Sequence, residues 1–209
     1  MQPTIYQPSK PAAREHSSIS RRSLVKGGGI LAGTTALLGG ASLASAGGHS
    51  SFTLEVACDG RTFVVVRPAG VDPDAPISRG DTFIVQGSVY PEGTIEAGLS
   101  GPTQEGRIGH WICRGWFYYG LAEMMDGAAP HAVTTQLYLL DNFDGLVSDG
   151  VEGGAFALRP ITGGYGSYLS VSGEVGQLEV ETNDTTLDLG DGVLAPAPNI
   201  KFDFRLTGV

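Results

Sequence analysis

Arg114 and His110 stand four residues apart in Arg107 to Tyr119 (RIGHWICRGWFYY), a spacing that suits proton transfer beside a charge clamp if the segment is a strand. Alternation then puts Ile108, His110, Ile112, Arg114, Trp116 and Tyr118 on one face, and Trp111, Cys113, Gly115, Phe117 and Tyr119 on the other. Were the first face to point into a cavity, Arg114 could hold a carboxylate or stabilise developing negative charge, with His110 carrying a proton. The plainer alternative pairs Arg114 with a structural carboxylate such as Glu152 and leaves His110 at a rim. Both faces are largely apolar. One should therefore line an interior while the other meets a partner subunit or a covering segment.

Aromatic side chains supply the candidates for gripping a ligand: Trp116 and Tyr118 on the His110 face, Tyr138 beside Thr134 and Gln136, and Tyr165 in a glycine-rich stretch. Tyr138 reads either as a phenol offered to a cavity or as a cross-strand packing residue. Asp149 and Glu152, three apart, fall on opposite faces of a strand. They make no catalytic pair unless Gly150 or Gly153 introduces a bulge.

Other chemistries find little support. Ile161 to Val175 (ITGGYGSYLSVSGEV) lacks both the third glycine and the following helix of a dinucleotide fingerprint, and the Gly-Lys-Ser/Thr of a phosphate loop. No G-x-S-x-G occurs. No Cys-x-x-Cys or Cys/His cluster suggests zinc, the acidic loops lack calcium-loop spacing, and no metal site is expected.

The elements that must position these residues are short β segments; apolar residues at helical spacing are scarce after Gly48. Strands are predicted at 51–57, 62–67, 81–90, 107–119, 132–141, 145–152, 157–161, 169–181 and 200–206, with a loop at 68–79. Cys58-Asp59-Gly60-Arg61 reads as a hairpin turn joining the first two. Leu121 to His131 reads as a lid or a long hairpin connection. Eight or nine strands without a βαβ rhythm imply an antiparallel sandwich or a closed barrel.

Residues 1–46 are read as a cleavable twin-arginine (Tat) leader: Arg21-Arg22 precedes a Gly-rich, mildly apolar run, and Ala44-Ser45-Ala46 offers a cleavage site. Export by the Tat translocase to a periplasmic, envelope or extracellular location follows, leaving 47–209 as one domain. Of the chain's 13 basic and 22 acidic residues, the leader holds 5 and 1, so the remainder carries a formal charge of −13. Such a surface repels nucleic acid and anionic lipid. Cys58 and Cys113 are either one disulfide or two buried thiols.

Thr162-Gly163-Gly164-Tyr165-Gly166-Ser167-Tyr168 followed by Ser172-Gly173-Glu174 resembles the turn of the allene oxide cyclase barrel-like and dirigent-like families. Arg114-Gly115-Trp116-Phe117, Val133 to Gln136, Leu146 to Glu152 and Asn199 to Leu206 extend the likeness over about Gly80 to Leu206. Tyr165 and Ser167 depart from the family pattern, as does the acidic stretch Glu179 to Asp191. The resemblance implies an eight-stranded antiparallel β-barrel with a central cavity, assembled as a dimer or trimer and free of metal or organic cofactor. It further implies a hydrophobic small molecule as ligand, whose cyclisation or coupling the cavity steers. The alternative is a non-catalytic secreted protein, ligand-binding or structural. On the first reading Arg114, His110 and Glu152 are the catalytic candidates, and Trp116, Tyr118, Tyr138 and Tyr165 bind the ligand.

Overall fold

Runs of Val, Ile, Thr, Phe and Tyr punctuated by Gly, Pro and Asp form eight strands in the computed structural model, which describes residues 49–208. These are β1 (His49–Val66), β2 (Thr82–Pro91), β3 (Gly109–Phe117), β4 (Ala132–Leu140), β5 (Gly145–Glu152), β6 (Phe156–Tyr165), β7 (Ser172–Asp188) and β8 (Leu194–Thr207). Each pairs antiparallel with the next, and β8 closes on β1. The expected eight-stranded barrel is therefore the fold. The expected leader and its boundary at 46/47 lie outside the described residues.

Two sequence expectations need correction. Residues 51–57 and 62–67 do not fold back on each other but run on as β1, with a register shift against β2 between Asp59 and Val64. Gly60 lies so close to the Thr186 carbonyl that a Cβ would collide with it, while its N–H donates to Thr185 Oγ1 at 2.9 Å. Asp-Gly here accommodates a neighbouring strand rather than a turn. The acidic stretch is the other case: β7 continues to Asp188 and meets an earlier start of β8 across Gly190-Asp191-Gly192, all three at positive φ. Threonines and Leu187 hold that extension in the sheet despite its charge.

Ile161 to Val175 is a strand made to bend. Val147 pairs with Gly163 and Ser148 with Ile161, so Thr162 is an extra residue that bulges β6. Positive φ is taken at Gly166, in the short 3₁₀ turn Gly166–Tyr168, and not at Gly163 or Gly164.

The barrel has two unlike ends. At one end lie the connection 67–81, the connection 118–131 with its single-turn helix α1 (Leu121–Met125), residues 153–155 and the β7–β8 turn. The other end is filled: Phe204 stacks on Phe52 at 4.9 Å, Tyr138 meets Phe202 and Phe204 edge-on at 5.1 and 4.9 Å, and Trp111 leans on Phe202 at 6.2 Å. Towards the first end the interior is open.

Patterning explains what lines that space. On β1, β2 and β8 the inward rows are apolar, as in Leu54, Val56, Phe83, Val85, Phe202 and Phe204. On β4 to β7 the inward rows are mixed, with Ala132, Tyr138, Leu146, Ile161 and Val175 beside polar residues. Thr134, Gln136, Ser148, Arg159 and Gln177 are buried inside, whereas Val151, Phe156, Leu158, Leu178 and Val180 are exposed outside. This half of the barrel wall thus carries polar residues within and apolar ones without, against the simple alternation rule.

Candidate functional site

A cavity of about 520 Å³ opens at the first end. Phe63, Phe83, Val85, Phe117 and Ile200 give it apolar walls, and Leu121, Met124 and Met125 of α1 border it. The connection expected to be a lid or a hairpin loop thus contributes a short helix to the rim. Cys58, Trp111, Cys113, Glu152, Gln177 and Glu179 bring polar atoms to the same space.

Glu152, at the end of β5, is held by side chains from three other strands. Its Oε1 accepts from Thr134 Oγ1 at 3.0 Å, from Gln136 Nε2, from Arg159 Nη1 at 3.4 Å and from Cys113 Sγ at 3.6 Å. All four contacts end on Oε1, and Oε2 takes no hydrogen bond among the described residues. A carboxylate fixed through one oxygen and open at the other can accept a ligand hydroxyl or draw its proton without first reorganising.

Behind Glu152 the network is closed. Arg159 is fully buried and donates from Nε to Ser148 Oγ at 3.2 Å and from Nη2 to the Thr134 carbonyl at 2.9 Å. Tyr138 donates to Gln136 Oε1 at 2.6 Å and shares a 3.2 Å contact with Ser148 Oγ, while Gln136 Nε2 also donates to Gln177 Oε1 at 2.8 Å. Burial pushes the Tyr138 phenol well above its ordinary value. It is a fixed neutral donor, not a base.

Burial also pushes the Cys58 thiol up to about 12, with Asp59 adding to the effect, and raises Cys113 through burial and the Glu152 charge. Both cysteines are free and buried, which is the second of the two sequence alternatives. Protonated at neutral pH, they present sulfur surface rather than nucleophiles.

Glu179 reaches the same cavity from β7, where partial desolvation and then the Glu152 charge raise its pKa. A raised folded-state value means that the folded chain holds this proton more tightly than the unfolded chain. The resulting stability is fully present below the unfolded value and is lost as pH rises through the folded one. Glu179→Gln should therefore raise the urea midpoint at pH 7, and the advantage should vanish on titration below the ordinary glutamate range. A pH-independent difference would mean that Glu179 does not feel the cavity.

The structure divides the sequence candidates. Glu152 and Tyr138 come together inside. His110, Arg114, Trp116 and Tyr118 are exposed on the outer surface, so the condition for Arg114 and His110 to work in the cavity is not met. Arg114 lies in register with Thr135, beside Asp149, whose pKa is lowered chiefly by the hydrogen bonds its carboxylate accepts from Thr135 at 2.5 Å and Thr162 at 2.6 Å, the Arg114 charge adding a smaller share. The cation that pairs with Glu152 is Arg159 instead. Asp149 and Glu152 do face opposite ways. Tyr165 also lies away from the cavity, its ring over Gly145 and partly exposed.

Parity on β2 held the signal for this orientation. Phe83, Val85 and Val89 alternate there with Thr82, Gln86 and Ser88, and register pairs Thr82 with Trp116. The even-numbered face of β3 must then follow the even-numbered, polar face of β2 outwards. Arg159 offered a weaker signal, since it lies between exposed Leu158 and Pro160.

No family model matches the chain, and no curated protein is similar to it in sequence. Among solved structures it is similar to the pterocarpan synthase dirigent protein PsPTS1, with a TM-score of 0.52 and 9% identity, over 79% of this chain and 98% of that one. It also matches the pterocarpan synthase dirigent protein GePTS1 (TM-score 0.47, 12% identity, 79% and 88% covered) and a pyocyanin demethylase (0.44, 18%, 75% and 99%). The likeness to PsPTS1 defines the fold as a dirigent-like barrel.

Proposed function

We propose that this barrel binds a hydrophobic, hydroxyl-bearing small molecule in its cavity and steers the cyclisation or coupling of that molecule without a cofactor. The observation that supports the reading is the apolar cavity ending on the unpartnered Oε2 of an immobilised Glu152. Apolar walls would hold one conformer, and the carboxylate would orient the hydroxyl or accept its proton as the reaction proceeds. The part first considered for Arg114 and His110 passes to Glu152, backed by Arg159.

Tat-dependent export belongs to the same proposal, supported by the Arg21-Arg22 leader. So does a dimer or trimer, supported by the outward row Val66, Thr82, Trp116, Val133 and Val151, which lie side by side across five strands. A non-catalytic ligand carrier is the second reading, favoured by the protonated state of both cavity thiols. Native mass spectrometry of protein from its own host tests both, with an oligomer carrying an amphiphilic small molecule expected. Release of the molecule unchanged under turnover conditions would select the carrier. Glu152→Gln puts a donor where the free acceptor was, and retention should fall roughly 10- to 100-fold. Undiminished retention would remove Glu152 from the site.

A further inference from the structure

Trp111 is 3% exposed on the inner face of β3, and its ring borders the cavity. Its Nε1–H is buried and has no hydrogen-bond partner. Buried indole N–H groups ordinarily find an acceptor, and an orphaned one is costly. Inside the barrel, Gln136 Oε1 is engaged by Tyr138, Gln177 Oε1 by Gln136, and Glu152 Oε1 by its four donors, and none of them accepts from Trp111.

Packing keeps the indole in this position. Gly87 of β2, in register with Trp111, leaves the ring its room: a Cβ there would come within 3.2 Å of Trp111 Cε3 and 2.7 Å of the Ala57 carbonyl. Phe202 supports the ring from the filled half of the barrel at 6.2 Å. A tryptophan seated by a glycine, with its one polar atom unsatisfied, is arranged to receive something.

We propose that Trp111 is a binding and specificity residue that donates its indole N–H to an acceptor oxygen of the ligand. Together with the acceptor at Glu152 Oε2, this selects hydrophobic molecules that carry both a hydroxyl and a carbonyl or ether oxygen. The inference rests on the cavity being a ligand site, and it adds the second polar anchor to that reading.

Two probes isolate the contact: 6-hydroxy-2-acetylnaphthalene and 6-ethyl-2-naphthol share a ring system and a hydroxyl, and only the first has the carbonyl. The chain has two tryptophans, and Trp116, on the outer surface, serves as an internal reference in an ¹⁵N–¹H spectrum of the indoles. The ketone should bind about tenfold more tightly than the ethyl compound and shift the Trp111 resonance while leaving Trp116 in place. Trp111→Phe should erase the preference by weakening the ketone alone. Equal affinities for the two probes, with an unmoved Trp111 resonance, would overturn the assignment to Trp111 but leave the cavity reading standing; a water molecule would then be the acceptor. Binding of neither probe overturns both.

Discussion

Arg159→Met should destabilise the folded chain by about 3 to 5 kcal/mol, because breaking a buried ion pair leaves its partner's charge uncompensated. Arg159 is fully buried and supplies three donors, to Glu152, Ser148 and the Thr134 carbonyl. Glu152 retains 23% side-chain exposure through the cavity. Partial solvation of the orphaned carboxylate sets the expected loss at the lower end, about 3 kcal/mol. Urea denaturation at pH 7 measures it, and the double variant Arg159→Met/Glu152→Leu provides the control. Removing both charges should recover part of the loss, since the penalty comes chiefly from the unpaired carboxylate. A single variant within about 1 kcal/mol of the parent would show that water already reaches Glu152 freely, leaving it a surface-like carboxylate.

Why the sequence disclosed the barrel more readily than its site follows from the mixed half of the wall. Thr, Val, Ile and aromatic runs between glycines and prolines gave eight or nine strands and an antiparallel sandwich or barrel, while the family resemblance gave the eight-stranded barrel itself. Simple alternation assigns apolar rows to the inside, and on β4 to β7 that assignment fails at several positions. Arg159 and Gln177 lie inside while Phe156, Leu158 and Leu178 are exposed. Arg114 attracted attention because its strand has two apolar faces, and only the register with β2 distinguishes them. Glu152 was recognisable as a carboxylate of interest, and Tyr138 as a phenol that could reach a cavity. The donors that fix Glu152 come from strands as distant in sequence as Cys113 and Arg159, and closure of the barrel is what brings them together.

Phe202→Ala should cost about 3 to 5 kcal/mol, the range for truncating a buried aromatic side chain in a packed core. Phe202 is fully buried between Trp111 at 6.2 Å and the edge-on Tyr138 at 5.1 Å. Its neighbours have little freedom to collapse, because Tyr138 is tied to Gln136 and Ser148 and Phe204 is stacked on Phe52. In a domain of this size the loss should lower Tm by roughly 10 °C in a calorimetric scan. Phe63 gives the informative contrast, since its ring borders the open cavity. Truncating a side chain beside existing space forfeits fewer contacts, so Phe63→Ala should cost well under half as much. Equal losses would mean that the open half collapses onto Phe63 in solution and offers no standing cavity. Unequal losses would establish that one half of the barrel is packed to support Trp111 and Tyr138, while the other is left open for a ligand.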